Sequence, residues 1–149
     1  MPEVPPLPPG GVASAHTDTF ARDNLPPFEL WARMDYSPLP ELKAYPNRIN
    51  AARELLDRHV AAGRGSRPAI WFEGAVWSYA DLKDRSDRIA RVLRTEFGLV
   101  PGNRVLLRGP NNPMMAACWF GVLKAGGIAV ATMPLLRARE LVYVLEKAQ

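Results

Sequence analysis

A chain of 149 residues that is 48% hydrophobic has the composition of an ordinary globular protein and enough length for one buried core. Its formal net charge of +4 comes from arginines interleaved with Asp and Glu, a solvated surface rather than a nucleic-acid-binding face. One cysteine, Cys118, cannot close an internal disulfide. No basic stretch followed by an apolar core opens the chain, and the longest apolar run, 113–123, is far below the ~20 residues that span a bilayer. The expectation is a cytoplasmic protein that meets neither membrane nor nucleic acid.

Residues 1–46 hold ten of the fifteen prolines. The run Val4-Pro5-Pro6-Leu7-Pro8-Pro9-Gly10-Gly11 reads as a polyproline or disordered leader. Residues 19–25 suit a short helix that Pro26-Pro27 ends. Trp31, Met34, Tyr36 and Tyr45 are too apolar for pure linker, so this segment is expected to lie against the main domain as irregular chain. Regular structure is expected from Asn47, an N-cap, with Ile49, Ala52, Leu55, Leu56 and Val60 as the buried stripe and Gly63 as the stop. Residues 69–72 and 75–77 around Glu73-Gly74 read as a β-hairpin.

Ser78 and Asp81 form a capping box for the next helix. Its inward stripe is Leu82, Ser86, Ile89, Leu93 and Phe97, and Asp81–Arg85, Asp84–Arg88 and Asp87–Arg91 are spaced as i,i+4 ion pairs. Residues 104–108 read as a strand. Asn112 and Pro113 then open a helix with almost no polar face, which should be buried on nearly all sides, until Gly126-Gly127 stops it. Residues 128–132 form a second, parallel strand, which makes one βαβ unit. A last amphipathic helix over 137–148 should turn Ala138, Leu141, Val142, Leu145 and Ala148 inward. Trp119, Phe120, Val122 and the 128–132 strand should be left partly uncovered, an apolar surface that favours self-association.

Familiar catalytic patterns are absent from this sequence. Residues 121–127 have the glycine spacing of a phosphate loop without its Lys-Ser/Thr, and they fall inside a helix. Residues 63–67 lack the apolar strand that leads into a nucleophile elbow. His16 and His59 stand too far apart for a metal pair, and Cys118 sits in an apolar helix that keeps a thiol inert.

Two segments carry a family resemblance. Trp77-Ser78-Tyr79-Ala80-Asp81-Leu82 resembles the first core motif of the adenylate-forming acyl-CoA synthetases, with Asp81 in place of Glu. Leu123-Lys124-Ala125-Gly126-Gly127-Ile128-Ala129-Val130-Ala131-Thr132-Met133-Pro134 resembles the second, with Ala131 where a bulkier residue often stands. Residues 17–27, 103–112 and 133–141 resemble the aryl-CoA ligases that act on 2-aminobenzoate and benzoate.

The resemblance implies an α/β fold, a partial doubly wound parallel sheet with flanking helices, over residues 47–149, truncated. It implies a ligase that joins an aryl carboxylate to AMP from Mg-ATP and then to CoA, so ATP, Mg and CoA serve the complete enzyme. The phosphate loop, the adenine and ribose site and the mobile C-terminal lysine of such enzymes have no counterpart among these 149 residues. No catalytic and no metal-binding residue is therefore expected here, and the chain should be inactive alone. In such enzymes the segment after the second motif can lie near the 3′-phosphate of CoA, which marks Arg137 and Arg139 at the start of the last helix as candidate phosphate donors. A stand-alone binding or scaffold module and one half of a split ligase are the alternatives.

Overall fold

The structure, a computed structural model, describes residues 14–32, 35, 38–46 and 48–149. The proline-rich stretch 4–11, Met34, Tyr36 and the expected cap Asn47 lie outside the described residues.

Asn50 caps the first long helix. Its Oδ1 accepts from the N–H of Ala52 at 3.0 Å and of Arg53 at 3.3 Å, and its Nδ2 donates to the Leu123 carbonyl at 2.8 Å. Residues 51–64 then form a π-wound helix, with wide turns over Arg53–Asp57 and Val60–Arg64. Ala52 and Leu56, four residues apart, share the inward face and are fully buried. Leu55, expected on the stripe, is 52% exposed because it falls beside that line, and Ile49 precedes the helix and is half exposed. Gly63, at φ +74°, turns the chain out.

Pro68–Phe72 (β1) and Ala75–Ser78 (β2) pair antiparallel, with Trp71 opposite Val76 and Ile70 opposite Trp77. Glu73 and Gly74 both take positive φ, as a two-residue hairpin with right-handed strand twist demands. Ser78 then caps Tyr79–Thr95 (α2): its Oγ accepts from the Asp81 N–H at 3.1 Å, and Asp81 accepts from the Ser78 N–H at 2.9 Å. The Ser78 hydroxyl and backbone N–H bonds hold the Asp81 carboxyl below the usual carboxylate range.

With Asp81 so engaged, Arg85 lies instead 4.3 Å over the Trp77 ring. Of the three expected i,i+4 pairs, Asp84–Arg88 forms, at 3.0 Å. Asp87 turns away from Arg91 toward two lysines. Phe97 is 75% exposed, against expectation, because α2 ends at Thr95 and helical periodicity no longer places it.

Arg104–Arg108 (β3) and Ile128–Thr132 (β4) are parallel neighbours in the register Arg104↔Ile128 to Arg108↔Thr132. Pro113–Ala125 (α3) joins them. Asn112 Oδ1 accepts from the Met115 N–H at 2.8 Å, Pro113 takes the first helical position, and Gly126 closes the helix in the left-handed region at φ +85°.

α3 packs on α2 at very short range. A Cβ on Gly121 would lie 2.6 Å from Ile89 Cγ2 and 3.1 Å from the Ser86 carbonyl. Leu56, Leu82 and Ala117 form the buried centre beside this contact, with Ile70, Trp77, Ile89 and Phe120 packed around it. The sequence places α3 inside on all sides; the structure buries Ala117, Gly121, Val122 and Ala125 but leaves Met114 45% exposed. Val122, expected to lie uncovered, is 1% exposed because its side chain fills the gap at Gly127.

Lys124 joins three helices. Its Nζ stands 2.5 Å from Asp87 Oδ1 on α2 and 2.6 Å from Asp57 Oδ1 on the π-wound helix, with its side chain 9% exposed. Lys83 donates to the other Asp87 oxygen at 2.6 Å. Burial pushes the Asp87 carboxyl up, but the hydrogen bonds from Lys124 and Lys83 outweigh it and hold the group below its ordinary range. Asp57 Oδ1 is buried and accepts no hydrogen bond among the described residues, and the ion-pair attraction of Lys124 compensates it.

Of the N-terminal segment, residues 17–20 lie on this frame, whereas Leu30, Leu39 and Tyr45 stay about half or more exposed. Phe20–Asp23 forms one helical turn (α1). The N–H groups of Thr17 and Asp18 both donate to the Pro101 carbonyl at 2.9 Å. Asp18 Oδ2 accepts from Asn103 at 2.7 Å and from Arg104 at 2.5 Å, and the Arg104 guanidinium also covers the Phe20 ring. Arg104 Nε donates to the Ala148 carbonyl at 2.7 Å, which ties the start and the end of the described fold to one side chain. Gly102 is obligatory here: at φ +99°, a Cβ would sit 2.1 Å from the Asp18 carbonyl oxygen.

The last helix, Ala138–Ala148 (α4), buries no residue completely. Val142 and Leu145, expected inward, are half exposed, because no described element packs closely along that face. None of the described helices is long and apolar enough to cross a membrane.

Gly121→Ala replaces a helix-interior glycine, which elsewhere gains ~0.5–1 kcal/mol. Here it should instead destabilise by about 1–3 kcal/mol, read from urea denaturation, because the added methyl overlaps Ile89.

Asp18 supplies a pH-dependent contact. The Phe20 N–H and then Arg104 and Asn103 hold its folded pKa below 3.8. The stabilisation is therefore complete above the unfolded pKa and is lost as pH falls through the folded one. Hydrogen exchange at residues 17–20 should accelerate below about pH 4, relative to intrinsic rates, before the α2–α3 core opens. Asp18→Asn should show the faster exchange already at neutral pH.

Candidate functional site

In parallel α/β sheets, ligands sit beyond the carboxyl ends of the strands, where loops diverge. β3 and β4 end side by side at Arg108 and Thr132, and two connections leave there. The first, Gly109–Asn112, feeds the capped start of α3. It passes so close that a Cβ on Gly109 would lie 2.8 Å from Met115 Cε. The second, 133–137, leads to α4.

Arg108 clasps this second turn. Its Nη2 donates to the carbonyls of Pro134 at 2.7 Å and Leu136 at 2.8 Å. Two carbonyls held by one planar guanidinium fix the turn as a unit. The Thr132 hydroxyl adds a longer bond, 3.4 Å, to the Leu107 carbonyl. The turn presents Met133, 64% exposed, and Leu135, 83% exposed, to solvent.

Arg137 stands at the N-cap of α4 with extended backbone, and Arg139 lies in the first turn; both are exposed. The Arg137 N–H donates to Glu140 Oε2 at 2.9 Å, so one helix-end donor is satisfied internally by a carboxylate. The two guanidiniums remain outside that bond. The structure thus brings the two expected residues together at one helix end, on a turn held in place by a third arginine. Arg108 is the residue that sequence reasoning missed. Its acceptors lie 26 and 28 residues further along the chain, and only its place opposite Thr132 in the parallel register signals the reach.

Cys118 and His59 are each engaged elsewhere in the fold. Cys118 is half-buried in α3, and burial pushes its thiol up. His59 accepts from Arg64 Nε at 3.1 Å and stacks 5.1 Å from Tyr79. Among the described residues no group of three or more His, Cys, Asp or Glu is gathered for a metal. The glycine-spaced run 121–127 is unavailable to phosphates: Gly121 is packed on Ile89, and Gly126 closes α3 against Pro101.

Comparison with known proteins places this frame. A family model described as AMP-binding enzyme matches residues 57–149. The chain is 44% identical over 92 residues to the salicyl-AMP ligase / salicyl-S-ArCP synthetase of Mycobacterium tuberculosis, across 62% of this chain and 15% of that protein. It is 32% identical over 111 residues to the benzoate–CoA ligase of Thauera aromatica, across 74% and 21% of the two. Among solved structures, the anthranilate CoA ligase AuaEII in complex with anthranoyl-AMP shares the fold, with a TM-score of 0.65 over 71% of this chain and 20% of that one, at 23% identity. Apo MatB from Rhodopseudomonas palustris gives 0.61 at 27% identity over 66% and 19%. The chain therefore spans about a fifth or less of the length of these relatives. With the capping box at Ser78, the glycine-closed α3 and the parallel β3–β4 pair inside the matched span, the chain belongs to the AMP-binding enzyme family.

Proposed function

We propose that this chain is the N-terminal portion of an ATP-dependent aryl-CoA ligase of the 2-aminobenzoate and benzoate class. In that reaction an aryl carboxylate oxygen displaces pyrophosphate from the α-phosphate of ATP to give an acyl-adenylate. The thiolate of CoA then displaces AMP to give the thioester. The observation that carries the proposal is that two relatives named for aromatic acids are 44% and 32% identical to this chain. One is named an AMP ligase and the other a CoA ligase, so activation of an aromatic acid is what the two names share.

The described residues divide the work unequally. The residues of 121–127 do not fit the phosphates of Mg-ATP, because the helix and its closing glycine already use them. Their part is to set the β3–β4 pair against α2. The Arg108 clasp fits a different role. It holds the turn 133–137 so that Arg137 and Arg139 project from one helix end, where exposed guanidiniums suit the 3′-phosphate of CoA. Glu140 opposes that charge in part, so the two arginines act together rather than singly.

Aryl-acid-dependent exchange of pyrophosphate into ATP should appear with a complete polypeptide that contains this chain and stay at background with the 149 residues alone. Exchange by the isolated chain would overturn the assignment of a supporting role.

In the complete enzyme, Arg137→Ala with Arg139→Ala should raise KM for CoA roughly tenfold or more, from ~1.5–3 kcal/mol per charged hydrogen bond lost. The adenylation half-reaction should keep its rate. An unchanged CoA dependence removes the two arginines from the CoA site.

A further inference from the structure

An open concavity of the described fold lies away from the strand ends. It is an open cleft of about 660 Å³ between the π-wound helix and the C-terminal half of α2. Its floor is the ion cluster of Lys124 with Asp57 and Asp87. Lys83 donates to Asp87 from the side, so two lysines and two carboxylates neutralise one another there. Three further cations line the cleft: Arg53 from one wall, Arg91 and Arg94 from the other.

These three guanidiniums have no hydrogen bond or ion pair among the described residues. Arg91 would ordinarily pair with Asp87, four residues before it on the same helix. The floor takes that carboxylate away: Asp87 spends one oxygen on Lys124 and the other on Lys83. Arg94 follows Arg91 by three residues, hence on the same face, and no acid stands four residues on either side of it. The neutral rim is already engaged: Asn50 donates to the Leu123 carbonyl and Thr95 to Glu96. What the cleft offers a ligand is therefore three guanidinium forks above a charge-balanced floor.

We propose that this cleft binds a compact phosphate-type oligoanion, held between Arg53 on one helix and Arg91 with Arg94 on the other. Guanidinium forks match the paired oxygens of a phosphate. Two facing walls favour a small ligand with several charges over a single carboxylate, because one anion then relieves the repulsion among all three cations. The site is independent of the Arg137 and Arg139 assignment, since it uses neither the strand ends nor α4.

The test is calorimetric titration of tripolyphosphate into the 149-residue chain at low ionic strength. Saturable one-to-one binding is expected. Arg91→Ala with Arg94→Ala should weaken it roughly tenfold or more, Arg53→Ala should weaken it too, and rising salt should weaken it further. Arg88→Ala removes an equal charge from the exposed face of α2, where Arg88 pairs with Asp84, and should leave the affinity unchanged. Absence of saturable binding, or an equal loss in Arg88→Ala, overturns the proposal.

Discussion

The fold depends on one buried ammonium. Lys124 sits at the C-terminal end of α3, where the helix dipole favours a cation, and its side chain is almost closed off from water. A lone charge there would be costly, so it must be matched. Asp87 and Asp57 match it from two other helices, and the Asn50 amide binds the Leu123 carbonyl next to it. The π-wound helix, α2 and α3 are thus tied at one point. Gly121 lets α2 and α3 approach closely enough for the tie to form. Residues 123–127, which open the second family motif, thus serve the packing of three helices.

That constraint reaches the surface. Because the floor consumes Asp87, Arg91 is left without its usual helical partner, and a cleft with surplus positive charge results. Because α3 is fixed on α2, β3 and β4 are held in register and end together at Arg108 and Thr132. Arg108 can then reach across to the turn before α4. The arginines at the α4 start are placed by a chain of contacts that begins in the helical layer and passes through the parallel pair.

Features set by neighbours in sequence were legible without the structure. The Glu73-Gly74 hairpin, the Ser78–Asp81 capping box, the Asn112-Pro113 helix start and the glycine stop at Gly126 each obey a rule that spans four residues or fewer. The parallel pairing followed from the βαβ pattern. The misses turn on contacts distant in sequence or on where an element ends. Asp87 had Arg91 and Lys83 one turn away and Lys124 37 residues off, and only packing decides for the lysines. Arg104 reads as an ordinary strand residue, yet it binds Asp18, 86 residues back. Phe97 fits the α2 stripe on paper, but the helix stops before it. Val122 reads as outward until Gly127 opens a space that it fills. At the strand ends, Arg137 and Arg139 were visible as charges at a helix start, whereas the Arg108 clasp needed the register of two strands.

A double-mutant cycle on Asp87→Asn and Lys124→Met, followed by urea denaturation, measures the central tie directly. The geometry predicts that each single change destabilises and that the two are coupled by about 1–2 kcal/mol, since either partner alone leaves a charge half out of water. A coupling below about 0.5 kcal/mol, the range of an exposed surface pair, would show that Lys124 does not hold the three helices together.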